Sequence, residues 1–285
     1  MVKAPIVCLS HGGGPMPLLD DPRHKSIISS LKNRVPKILG LGTSSQPRAI
    51  ALVTAHWQTS EPTVSSAAKH SLLYDYYGFP KETYNLKYDA SGSPEIAAQI
   101  SEALKEEGVT ATLDAKRGWD HGVFVPFLLI NPKADVPIVQ VSILSSEDPA
   151  EHFRIGAALN KLRDQNIAVV GSGFASFHNL RIMMGMMHDG ENPLARQAFK
   201  KRSDEWNDAV AAAVTTVDRG ERLTQLQKWR EFPNAFEMHP PNGGDHFMPL
   251  LVCSAAAENE KALTYKDEFL GIDIYTFFWG ADPVA

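Results

Sequence analysis

Cysteine is almost missing from this chain: 285 residues contain two, Cys8 and Cys253. Each lies in an apolar run, Val7-Cys8-Leu9 and Val252-Cys253-Ser254, so buried free thiols in a reducing compartment are expected. No Cys-x-x-Cys pair is present, which removes the thiolate zinc and iron–sulfur sites. No stretch approaches the roughly 20 apolar residues needed to span a bilayer, and residues 1–5 lead straight into a strand-like run rather than a signal-type segment. The chain therefore reads as soluble and cytoplasmic. Nor is there an excess of one charge: 28 Lys and Arg against 33 Asp and Glu leave a net charge of −5, which gives no electrostatic case for nucleic acid or an anionic membrane. The His-Glu-x-x-His helix, the Gly-x-Ser-x-Gly elbow and a glycine loop ending in Gly-Lys-Ser/Thr are all absent. With no linker, repeat or low-complexity segment, one domain over residues 1–285 is expected.

What is present is an alternation of apolar strand-like runs with helical periodicities. Strands are expected at residues 5–9, 49–54, 109–113, 136–143, 167–171 and 272–279. Helices are expected over 25–41 with an interruption at Pro36, and over 94–107, 123–130, 149–165, 194–217, 221–230 and 247–258. Residues 60–93 are irregular and rich in Tyr, Gly and Pro, the kind of long segment that forms a lid or pocket wall. The pattern predicts an α/β fold: a single domain with a central, mostly parallel or mixed sheet flanked by helices.

Four histidines stand in short motifs spread along nearly the whole chain. They are His11 in Ser10-His11-Gly12-Gly13-Gly14-Pro15, His56 in Thr54-Ala55-His56-Trp57, His178 after Gly171-Ser172-Gly173, and His246 in Asp245-His246-Phe247-Met248-Pro249-Leu250. Imidazole is the commonest neutral metal ligand and the side chain best suited to proton transfer near neutral pH. His11, His56 and His178 each follow an expected strand, where ligands collect in open α/β sheets. Each histidine also has a plain structural reading: a turn residue at His11, a hydrogen-bonded strand end at His56, a turn or helix start at His178. At His246 it is a first-turn residue behind an Asp245 N-cap. His121, in Trp119-Asp120-His121-Gly122, is a fifth candidate, and His239 reads as structural or pocket-lining. His24, His70, His152 and His188 read as exposed. Tyr74, Tyr76, Tyr77 and Phe79 either line an aromatic pocket or pack the long loop onto the sheet.

Taken in order, these motifs resemble the class III extradiol ring-cleavage dioxygenases of the LigB superfamily, and within it the DOPA 4,5-dioxygenase-like branch. The resemblance rests on the Ser10-His11-Gly12, Thr54–Trp57 and Trp119–Gly122 motifs and on Pro137-Ile138-Val139-Gln140-Val141-Ser142. It continues through Gly171-Ser172-Gly173 with His178-Asn179-Leu180, and Asp245–Leu250; Gly78-Phe79-Pro80 and Tyr84–Tyr88 match the family's loop. It covers residue 5 to the C-terminus.

The resemblance implies a LigB-like fold and a non-haem metal centre with His11, His56 and His246 as ligands. His178 is implied as acid/base or as a further ligand, and His121 as a residue beside the substrate. Fe(II) is the implied metal, with a catechol-type aromatic and O2 as substrates. The three-histidine set departs from the usual two-histidine, one-carboxylate iron site and equally suits Zn(II). Gly243-Gly244 and the residues around 183–187 look particular to this chain. A zinc hydrolase on the same histidines, or a non-catalytic member of the fold, are the competing readings.

Overall fold

The computed structural model describes residues 3–188 and 192–284; the side chain of His188 lies outside them. The strands are β1 (Ile6–Ser10), β2 (Ala49–Thr59), β3 (Thr63–Ser65), β4 (Thr112–Asp114), β5 (Ile138–Leu144), β6 (Ile167–Gly173), β7 (Leu263–Phe269) and β8 (Ile272–Trp279). They form one mixed sheet in the order β4-β3-β5-β2-β6-β1-β8-β7. The four central strands are mutually parallel, and β8 joins β1 antiparallel. The helices are α1 (Lys25–Asn33), α2 (Val35–Ile38), α3 (Pro94–Glu106), α4 (His121–Ile130), α5 (Pro149–Arg163), α6 (Leu180–His188), α7 (Pro193–Thr215), α8 (Arg219–Leu226), α9 (Ala235–Met238) and α10 (Met248–Ala256). The α/β fold with a mixed sheet flanked by helices is the one the periodicity indicates.

β1, β5 and β6 are buried at every residue, as strands covered on both faces must be. Alternation along β6 shows what covers each face. Gly171 and Gly173 point at α10 and the segment before it, whereas Ser172 points at the first turn of α4. A Cβ on Gly173 would lie 2.5 Å from the His246 carbonyl oxygen, so the Gly-Ser-Gly run lets the chain carrying His246 pass directly over the strand.

Several expectations are corrected. The 49–54 strand continues through His56 to Thr59, and its register with β5 shifts between Thr54 and Gln58. The 109–113 strand is instead the short, largely exposed β4. The 247–258 helix begins at Met248 with Phe247 at its cap position, so Asp245 is not its N-cap and His246 precedes it. Strands β3 and β7 and helices α6 and α9 lie outside the expected elements; β7 alternates exposed and buried residues against β8.

His24 and His152 are fully buried, not exposed. His24 Nε2 accepts the Gly13 N–H (3.0 Å) and His152 Nε2 accepts the Leu144 N–H (3.1 Å), so each closes a backbone donor that burial would leave unpaired. No described helix is long and apolar enough to cross a membrane.

Candidate metal centre

The register of the central strands places the histidines. Ser10 of β1 pairs with Gly173 of β6, and Thr54 of β2 pairs with Ser172. His11, one residue beyond β1, continues the ladder with its N–H on Gly173 O (3.2 Å). His56 sits in the stretch of β2 where pairing to β5 is interrupted, a bulge that re-aims side chains. The two imidazoles thus flank the end of β6 from opposite sides, with ring centroids 4.9 Å apart.

His246 arrives over Gly173, and its carbonyl accepts the Phe174 N–H (3.0 Å). Its ring lies 5.2 Å from that of His11 and 4.8 Å from that of His56. Nitrogens of His11, His56 and His246 all lie within 4.8 Å of one another. His178 joins from the loop after β6, where its N–H bonds Met238 O (2.9 Å) and its ring stacks on His246 at 3.3 Å and 14°. His121 is the first residue of α4, and its ring is 3.9 Å from that of His56. All five sequence candidates therefore meet at the carboxyl edge of the sheet. His11 and His246 keep 1% and 3% exposure while the side chains of His56 and His178 keep 19% and 17%, so the cluster opens to solvent on the His56 and His178 side.

Hydrogen bonding fixes the state of His11. The Ser172 hydroxyl donates its one proton to the Gly122 carbonyl at 2.5 Å, which can only accept. Ser172 Oγ must then accept from His11 Nδ1, 3.1 Å away. Neutral His11 is protonated on Nδ1 and carries a bare lone pair on Nε2. That lone pair faces Nε2 of His56 at 3.1 Å.

Without a cation, the contact needs a proton on His56 Nε2. That form turns a bare Nδ1 towards the Asp75 carboxylate 3.6 Å away, an unfavourable alignment. A cation between the two Nε2 atoms removes the conflict. Two nitrogens bonded at about 2.1 Å are roughly 3.0 Å apart at a right angle and roughly 3.4 Å at a tetrahedral angle. The observed 3.1 Å falls inside that range.

The electrostatics suit a metal as well. Burial, reinforced by the neighbouring imidazoles, holds His11 and His246 well below the usual histidine range. Burial, with His121 adding and Asp75 opposing, lowers His56 to about 3. His178 is lowered to about 4, chiefly by burial and against the pull of Asp245. Neutral imidazoles are the form that ligates. His246 Nδ1 is buried without a hydrogen bond; Asp245 Oδ1 is 3.1 Å from it but outside hydrogen-bond geometry.

Three contributors were missed in the sequence. Asp75, from the tyrosine-rich loop, accepts both the backbone N–H (2.9 Å) and Nδ1–H (2.8 Å) of His121. Asp120 is fully buried, caps α4 through Gly122 N (3.0 Å), and accepts from Thr54 Oγ1 (2.9 Å), Arg117 Nη2 (3.2 Å) and Gln140 Nε2. Ser172 is the third. Only Asp120, one residue before His121, carried a signal, as a helix cap. Asp245 adds a second possible ligand group, because its carboxylate falls within 4.8 Å of ligand atoms of both His178 and His246.

Comparison with known proteins agrees with this picture. Residues 5–274 match the family model described as the catalytic LigB subunit of aromatic ring-opening dioxygenase. The chain is 55% identical over 289 aligned positions to "Dioxygenase tasH" of Hapsidospora irregularis, covering all of this chain and 88% of that protein. It is 33% identical over 256 positions to "4,5-DOPA dioxygenase extradiol" of Beta vulgaris, covering 89% and 87% respectively. A crystal structure of the "uncharacterized protein JW3007" from Escherichia coli K12 superposes with a TM-score of 0.73 at 28% identity, over 97% of this chain and 99% of that one.

Proposed function

The chain belongs to the LigB family, and on that premise we propose that it is an extradiol dioxygenase: it inserts both atoms of O2 into a catechol-type substrate and opens the ring beside the diol. The observation that carries this reading is the convergence of three imidazoles, buried His11 and His246 and part-exposed His56, with ligand atoms within 4.8 Å of one another and His11 locked so that its Nε2 is free. His11, His56 and His246 would hold the metal. Fe(II) is favoured over Zn(II), because reaction with O2 needs a redox-active ion and zinc has none of that chemistry. Bound there, Fe(II) would bring the two catechol oxygens and O2 together and lower the catechol's pKa, as metals do for bound water.

His178 serves as the acid/base group. Its imidazole is neutral above about pH 4, so it can take the second hydroxyl proton and return it as the ring opens. Asp245 Oδ1, 4.0 Å from its Nδ1, stabilises the protonated form. His121 has committed Nδ1–H to Asp75, so in its neutral form Nε2 can only accept. It therefore orients a substrate hydroxyl. One domain spanning the chain holds the whole site.

The test is metal analysis of anaerobically purified protein followed by oxygen uptake with a panel of catechols. Iron together with oxygen consumption and a yellow ring-opened product is expected. Zinc with ester or amide cleavage and no oxygen uptake would replace this reading with a hydrolase. Absence of both metal and turnover would leave a non-catalytic member of the family.

A further inference from the structure

The tyrosines of the long loop are occupied. Tyr74 Oη donates to Leu86 O (2.8 Å), Tyr76 Oη to Thr83 O (2.6 Å) and Tyr84 Oη to Tyr76 O (3.4 Å). Tyr74 packs edge-on against both Tyr76 and Phe124 of α4, and the Tyr76 ring lies tilted against Phe124. Residues 74–86 are thus stitched into a self-closed unit, and those three hydroxyls hold the loop rather than a ligand. The loop presents to the histidines the Tyr76 ring, 5.9 Å from that of His121, and the carboxylate of Asp75, whose side chain is one-fifth exposed. One oxygen accepts both N–H groups of His121, and the other lies 3.6 Å from His56 Nδ1.

We infer that Asp75 is the positioning residue of the site: the tyrosine-stitched loop exists to deliver one carboxylate that sets the tautomers of two histidines at once. This rests on the reading of His56 as a metal ligand and His121 as a substrate contact. An ionised carboxylate only accepts, so both imidazoles turn Nδ1–H towards it. Both Nε2 atoms are left bare, one for metal and one for a substrate hydroxyl. At 3.6 Å the link to His56 is electrostatic rather than a hydrogen bond, and it acts by disfavouring a lone pair on Nδ1.

The inference separates two variants that a packing role would rank the other way. In Asp75→Asn the amide oxygen is held by the two His121 donors, which turns the NH2 group towards His56 Nδ1. That favours a lone pair on Nδ1 and a proton on Nε2, where metal would bind. Asp75→Ala only removes the bias. Apoprotein is titrated with Co(II) against a competing chelator, and denaturation midpoints are recorded alongside.

Asp75→Asn is expected to weaken Co(II) binding by about 10–100-fold, in the range for partners of metal-ligating histidines. Asp75→Ala is expected to bind Co(II) more tightly than Asp75→Asn while being the less stable of the two. Tyr76→Phe should lower the denaturation midpoint and leave Co(II) affinity within about twofold. Wild-type affinity in Asp75→Asn, or tighter binding by Asn than by Ala, overturns the inference.

If the Asp75 variants do not fold, imidazole 15N shifts of the wild-type apoprotein carry the test. His121 protonated on Nδ1 supports the inference, and His121 protonated on Nε2 overturns it. Wild-type protein that binds Co(II) but cleaves no catechol with Fe(II) would sink the proposed activity and leave the affinity ranking to judge Asp75 separately.

Discussion

Ser172→Ala is the sharpest probe of how the metal centre is built. Ser172 is fully buried and makes two contacts, a donation to Gly122 O and an acceptance from His11 Nδ1. Removing its oxygen leaves a buried carbonyl and a buried N–H unpaired. A lost buried partner costs about 1–3 kcal/mol in stability. His11 is then free to move its proton to Nε2, which the metal must displace, and loss of a ligand's hydrogen-bond partner typically weakens metal binding about 10–100-fold.

Ser10→Ala is the matched control. It sits at the same sheet end, is also buried, and its hydroxyl has no hydrogen-bond partner, so its loss should change neither quantity by more than a few tenths of a kcal/mol. Urea unfolding and Co(II) competition titrations on the three apoproteins measure both effects. The reasoning fails if Ser172→Ala keeps wild-type metal affinity, whatever happens to its stability, because Ser172 would then be packing without setting the tautomer.

His178→Ala should abolish ring cleavage while a stoichiometric metal stays bound; loss of metal on inductively coupled plasma analysis would make His178 a ligand instead. Gly173→Ala puts a methyl 2.5 Å from the His246 carbonyl, so the segment carrying His246 must move. A destabilisation of about 1–3 kcal/mol with weakened metal binding is expected, and a variant of wild-type stability would contradict it. Burial, partly offset by Asp148, lowers the pKa of His152, so the unfolded chain binds its proton first on acidification. Stability from this group is therefore intact above about pH 6.5 and is lost as pH falls, by up to about 1.4 kcal/mol at pH 5.5. His152→Gln should flatten the fall in unfolding free energy between pH 7.5 and 5.5, by no more than that amount, and an unchanged pH slope would count against the assignment.

Much of the fold was legible because fully buried parallel strands read as continuous apolar runs and α5 carries Asp148-Pro149 at its start. The hairpin β7–β8 was half missed. Leu263–Phe269 contains Thr, Lys, Asp and Glu, and its burial is set by β8 alongside rather than by its own hydrophobicity. His24 and His152 were misjudged for a related reason. Polar neighbours in sequence suggested solvent, whereas each ring is enclosed because it satisfies a backbone N–H elsewhere.

At the site, the five histidines could be singled out because their motifs, taken in order, resemble one family, although each motif alone also has a plain structural reading. Their tautomers could not. Asp75 and Ser172 act across 46 and 161 residues of chain, and nothing adjacent to either points to a histidine. The sequence by itself determined the α/β alternation and the motifs that hold the five histidines, because periodicity and turn residues are encoded locally. Only the tertiary structure decided which nitrogen of His11 and of His121 is free. A tautomer is set by the partner on the other side of the ring, and here those partners come from elements that meet only when the sheet closes around β6.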